Sequence, residues 1–68
     1  MAKLSQMDIQ NNAFKRAYDR EELLRAKFAY LAKQVQDKRL KKLFKTLEIT
    51  AQRHLAELKQ EMQKLDIR

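Results

Sequence analysis

Apolar residues recur every three or four positions in both halves of the chain, which is the spacing of a helix that packs against other helices. In the first half this apolar stripe consists of Met7, Phe14, Ala17, Leu24, Phe28, Leu31 and Val35. In the second half it consists of Leu40, Phe44, Leu47, Ala51, Leu58 and Leu65. Between Val35 and Leu40 the stripe slips by about two residues, or half a helical turn, so one continuous helix could not keep it on one face. The pattern therefore predicts two helices.

The break between the stripes falls within residues 36–39, although the chain has no Gly and no Pro to mark a turn. Asp37 is suited to cap the second helix. Ser5 followed by Asp8 forms a capping signal before the first helix, which could alternatively start at Asn11 or Asn12. We expect a first helix at about residues 6–36, a turn at about 36–39 and a second helix at about 38–65. Together they would form a single helical-hairpin domain over residues 1–68.

Each stripe is interrupted once by a polar residue, Glu21 in the first and His54, the only histidine, in the second. With the turn centred between Asp37 and Lys38, facing residues have numbers that sum to about 75, so Glu21 faces His54. The same register gives apolar pairs: Val35 with Leu40, Leu31 with Phe44, Phe28 with Leu47, Leu24 with Ala51 and Ala17 with Leu58. We therefore expect the hairpin to bury Glu21 and His54 against each other, since an unpaired charge on a buried stripe is costly.

A hairpin of 68 residues buries little apolar surface, which favours self-association. The predicted fold is all-α: an antiparallel two-helix hairpin that forms a homodimer or higher homo-oligomer as a four-helix bundle. A second, weaker apolar strip is the expected contact with the partner hairpin, and it consists of Leu23, Ala26, Tyr30, Leu43 and Leu55.

The segments EELLRAKFAYLAKQ at 21–34 and LFKTL at 43–47, followed by His54, resemble one helix pair of the ferritin-like superfamily, of the rubrerythrin type. The resemblance covers about 45 residues, from Glu21 to Met62, and implies a ferritin-like four-helix bundle with metal ligands inside it. Glu21 precedes Phe28 by the family's spacing, and His54 matches the histidine of its Glu-x-x-His iron-binding motif. Ala51 stands where that motif has its glutamate.

The Glu21 and His54 pair has three interpretations. It is a structural hydrogen bond that fixes register, or a mononuclear zinc, manganese or iron site formed by two glutamates and two histidines across a dimer. The third is a di-iron oxidase or peroxidase, for which Ala51 removes one ligand from each hairpin. Glu22 and Glu48 are further candidate metal ligands, but they lie off the stripe.

Sixteen basic and nine acidic residues give the chain a net charge of +7. The basic residues concentrate after the turn, at Lys38, Arg39, Lys41, Lys42 and Lys45. Such a cluster can contact nucleic-acid phosphates or an anionic membrane surface. The alternative is a solvated face that keeps a bundle soluble.

The composition argues against several other classes of protein. Without cysteine there are no disulfides, thiolate metal sites or cysteine nucleophiles, and Ser5, the only serine, lies far from His54. No apolar run approaches the roughly 20 residues of a membrane span, and residues 1–5 lack a signal-peptide core, so we expect a cytoplasmic protein. We predict a small non-catalytic assembly or interaction protein, with metal binding and anion binding as the alternatives.

Overall fold

The computed structural model describes residues 5–67, in which two helices lie side by side as a hairpin. Helix α1 spans Gln6–Gln34 and helix α2 spans Lys38–Lys64, and the described residues contain no strand. The predicted all-α hairpin is confirmed. Its dimensions are 52 × 26 × 13 Å, so the hairpin is about one helix diameter thick. Residues 1–4, which belong to the segment assessed for a signal peptide, and residue 68 lie outside the described residues.

Helix α1 begins with the predicted capping interaction. The Ser5 hydroxyl accepts a hydrogen bond from the Asp8 N–H at 3.0 Å, and the Asp8 carboxylate accepts one from the Ser5 N–H at 3.3 Å. This reciprocal pair is a capping box, which satisfies two backbone donors that a helix start leaves free. The start of α1 at Gln6 is therefore fixed by side chains that are recognisable in the sequence.

The connection between the helices is short and extended. Helix α1 ends at Gln34, two residues before the expected position, because Val35 leaves the helix with φ −78° and ψ 142°. Asp37 is also extended, and its carboxylate accepts hydrogen bonds from the N–H groups of Arg39 at 2.8 Å and Leu40 at 3.2 Å. Neither residue needs a positive φ, which explains how the turn forms without glycine.

Helix α2 ends in a left-handed residue followed by a buried one. Asp66 has φ 56°, its N–H donates to the Gln63 carbonyl at 3.2 Å, and the Ile67 N–H donates to the Met62 carbonyl at 2.7 Å. This is the Schellman arrangement, in which an apolar residue after the left-handed one returns to the helix. Ile67 is accordingly only 7% exposed.

The hairpin has a thin core. Four described residues are buried, and they are Ala32, Ala51, Leu55 and Ile67. The rings of Phe28 and Phe44 stack with their centroids 6.3 Å apart, while both side chains remain partly exposed. The expectation that Leu55 belongs to a strip contacting a partner is wrong, because Leu55 is buried within the hairpin itself.

Candidate functional site

Glu21 and His54 meet across the two helices, as the register predicted. Glu21 Oε1 lies 3.4 Å from His54 Nδ1. This distance exceeds the usual 2.7–3.2 Å of an N–H···O hydrogen bond, so the contact is a loose one. The register of the helices therefore sets the position of the pair, but a short hydrogen bond does not hold the two side chains together.

The expectation that the hairpin buries this pair is wrong. The Glu21 side chain is 23% exposed and the His54 side chain is 43% exposed. Both residues lie on the side of the helix contact, where the hairpin has no second layer to cover them. The sequence pattern gives the direction of a side chain, whereas its burial depends on how many layers surround it.

The pair opens into a groove between the helices with a volume of about 430 Å³. The groove is lined by Ala17, Arg20, Glu21, His54, Glu57, Leu58 and Glu61. Sequence reasoning missed Arg20, Glu57 and Glu61. The two glutamates lie three and seven residues after His54, so helical spacing could have placed them beside it.

Heptad spacing places a row of apolar residues along the hairpin on the same side as the groove. Residues one heptad apart point in nearly the same direction, which aligns Leu24 and Leu31 with Ala17 on α1. On α2 the same rule aligns Leu47 with His54, and it aligns Leu43 with Glu57 two heptads later. His54 and Glu57 both line the groove. We call this surface the open face and define it by Ala17, Leu24, Leu31, Leu43, Leu47 and Leu58. Five of these six side chains are partly exposed, and Leu43 is 50% exposed.

The other two candidate ligands do not join the pair. The Glu22 carboxylate accepts a hydrogen bond from Arg25 Nη2 at 2.9 Å and is exposed, while Glu48 is half-buried. Within residues 5–67, no group of three or more His, Asp or Glu side chains comes close enough to hold a metal ion.

The position three residues before His54 has a packing role here. Ala51 is 3% exposed, so its small side chain is enclosed in the hairpin. A glutamate at this position would start from a buried Cβ, away from the exposed groove. The small Ala51 side chain permits close packing of the two helices at this position.

The basic cluster lies at the turn end of α2. Lys38, Arg39, Lys42 and Lys45 are exposed, and Lys41 is half-buried. None of these five forms an ion pair with any residue in the described part of the chain. Their charges are therefore presented to solvent.

Neither described helix has an apolar stretch long enough to cross a bilayer. Comparisons with protein-family models, with curated proteins and with solved structures found no match to this chain.

Proposed function

We propose that this chain is a small, non-catalytic assembly module in which two hairpins join their open faces to form a four-helix bundle of ferritin-like descent. The observation that carries the proposal is the accessible surface. The hairpin exposes 6,000 Å², whereas a compact monomer of its 8.2 kDa would expose about 4,500 Å². The excess of about 1,500 Å² per chain is ample for a stable interface, which typically removes about 800 Å² from each partner.

The shape of the hairpin supports the same conclusion. Its radius of gyration is 15.7 Å, compared with about 11 Å for a compact domain of this length. Domains are normally built from at least two layers around a core, and this hairpin supplies one layer. A second copy on the open face would provide the other layer and enclose the half-exposed leucines.

Dimerisation would also change the surroundings of the polar pair. Glu21 and His54 lie in the groove of the open face, so a partner hairpin would cover them. A polar pair at such an interface disfavours slipped registers, because a slip would leave the carboxylate facing apolar side chains. The pair would then fix the alignment of one hairpin against the other.

The test is the oligomeric state of two matched variants, measured by sedimentation equilibrium. Leu43→Glu places a charge on the open face at a side chain that is 50% exposed. Leu23→Glu places the same charge at a side chain that is 72% exposed and lies off the open face, on the weaker strip that the sequence pattern predicted as the partner contact. We expect the wild type and Leu23→Glu to have twice the 8.2 kDa mass of the chain, and Leu43→Glu to be monomeric. A monomeric wild type would refute the proposal, and dissociation by Leu23→Glu alone would move the interface to the outer side of α1.

Metal binding is the second candidate function, and the outward exposure of the Glu21 and His54 pair favours it. Two such pairs brought together by a dimer would offer two carboxylates and two imidazoles, a ligand set suited to zinc, manganese or iron. We expect about one metal ion per two chains by mass spectrometry, lost in His54→Ala and retained in the control Asp19→Asn, an exposed carboxylate that does not line the groove. Equal metal content in the wild type and His54→Ala would exclude the site.

A further inference from the structure

The net charge of the chain is concentrated in one half of the hairpin. The turn half, residues 21–54, contains nine basic and four acidic residues. The remaining described residues, 5–20 and 55–67, form the far half and contain five of each. No ion pair of the described residues involves residues 27–48, next to the turn. The turn half therefore carries an uncompensated positive charge.

Four lysines of the turn half share one helix face. Lys38, Lys41, Lys42 and Lys45 are spaced i, i+3, i+4 and i+7, which places them on one side of α2. We call this surface the lysine face. It extends about 10 Å along the helix axis, at a rise of about 1.5 Å per residue.

The position of the lysine face is unfavourable for the helix alone. The N-terminus of a helix carries partial positive charge and favours acidic residues. The first turn of α2 has no acidic residue, and three of its first four residues are basic. These cations repel one another and the helix dipole, and the Asp37 carboxylate at the N-cap offsets only part of this charge. A bound polyanion would relieve the remaining repulsion.

We propose that the lysine face binds the phosphate backbone of nucleic acid without reading its sequence. Duplex DNA carries one negative charge per about 1.7 Å of axis, so about six phosphates lie within the length of the face. Lysines act as point charges toward phosphates. The face itself carries no aromatic or arginine side chain to contact bases.

An anionic membrane is the less favoured partner. A helix that binds a membrane surface buries a broad apolar face beside its lysines. Ala51 and Leu55, the buried apolar side chains of α2, contact α1, and the exposed Leu43 belongs to the open face that the dimer proposed above would cover. Phosphate binding by the lysine face requires only the hairpin, so it does not depend on the dimer proposed above.

The experiment is fluorescence anisotropy with a labelled duplex of mixed sequence, titrated between about 50 and 200 mM salt. Contacts from four lysines predict a slope of log K against log salt of about −3.6, or a loss of about 150-fold in affinity over that range. The variant Lys38→Gln, Lys42→Gln, Lys45→Gln removes three exposed charges and should make the slope shallower by about 2.7. Its far-UV circular dichroism establishes that the hairpin still folds.

The matched control is Lys15→Gln, Arg16→Gln, Lys59→Gln, which removes three exposed charges from the far half. This control should retain the wild-type slope to within about one unit. Equal losses in the two variants, or no duplex binding by the wild type at low salt, would overturn the proposal. The proposal would also be overturned if vesicles of phosphatidylserine and phosphatidylcholine bound the protein with the same affinity per accessible phosphate as the duplex. Wild-type protein diluted until it sediments as a monomer should keep its duplex affinity per lysine face, which separates this test from that of the dimer.

Discussion

Leu55→Ala tests whether the helix contact of the hairpin is the one described. Leu55 is 8% exposed, and it is the larger of the two buried side chains of α2, the other being Ala51. Leucine-to-alanine changes in cores cost about 2–5 kcal/mol, depending on how well the site collapses. Because the hairpin is one layer thick, the neighbours can close part of the void, so we expect a cost of about 2–3 kcal/mol.

This cost is large relative to the stability of so small a domain, which rarely exceeds about 3–5 kcal/mol. Leu55→Ala should therefore lower the urea midpoint strongly, as measured by far-UV circular dichroism. The matched control is Leu23→Ala, which makes the same chemical change in a helix at a side chain that is 72% exposed. Its effect on the free energy of unfolding should stay within about 0.5 kcal/mol, because the exposed side chain leaves no cavity. The change in helix propensity is the same in both variants, so the difference between them reports burial alone.

The comparison of the two variants can refute the assignment of helix faces. Equal costs for Leu55→Ala and Leu23→Ala would mean that α2 is rotated from its described position. Repeating each curve at tenfold higher protein concentration adds a separate result. If folding is linked to dimerisation, the free energy of unfolding rises by about 1.4 kcal/mol for that tenfold change. A urea midpoint that does not change with protein concentration would contradict the proposed dimer, but it would not contradict the described hairpin.

Two further substitutions test the ends of α2. Asp37→Ala removes the carboxylate that caps Arg39 and Leu40 and should cost about 1 kcal/mol in urea unfolding, whereas Gln36→Ala, next to it, should have little effect. Asp66→Gly should raise stability by about 0.5–1 kcal/mol because glycine adopts the observed φ of 56° without a Cβ clash. In contrast, Asp66→Val should lower the thermal midpoint, because a β-branched residue is strongly disfavoured at positive φ. An unchanged thermal midpoint in both variants would argue against the left-handed conformation of residue 66.

The sequence was sufficient to predict the hairpin because its signals are local or periodic. The slip of the stripe located the turn, and the Ser5 and Asp37 side chains located the starts of the helices. The meeting of Glu21 and His54 followed from the same register. These features depend on spacing along the chain, which the fold preserves.

The burial of individual residues could not be predicted in the same way. Leu55 lies one residue after His54, at the edge of the stripe, so a modest rotation of α2 decides whether it faces α1 or a partner. His54 shows the opposite outcome, since it lies on the stripe and yet is 43% exposed. Periodicity assigns a direction to each side chain, while the rotation of the helix and the number of layers determine what covers it.

The uneven charge of the hairpin also constrains how two copies can join. The turn half holds the excess basic residues and the far half is balanced. A parallel arrangement would place two lysine-rich ends side by side at distances comparable to the screening length of about 8 Å in physiological salt. An antiparallel arrangement would separate them by much of the 52 Å length of the hairpin and set each beside a balanced half. We therefore infer that the proposed dimer is antiparallel, with one lysine face at each end. Because Glu21 lies near the midpoint of α1 and His54 lies beside it, this arrangement brings the two Glu21 and His54 pairs to nearly the same level at the middle of the bundle.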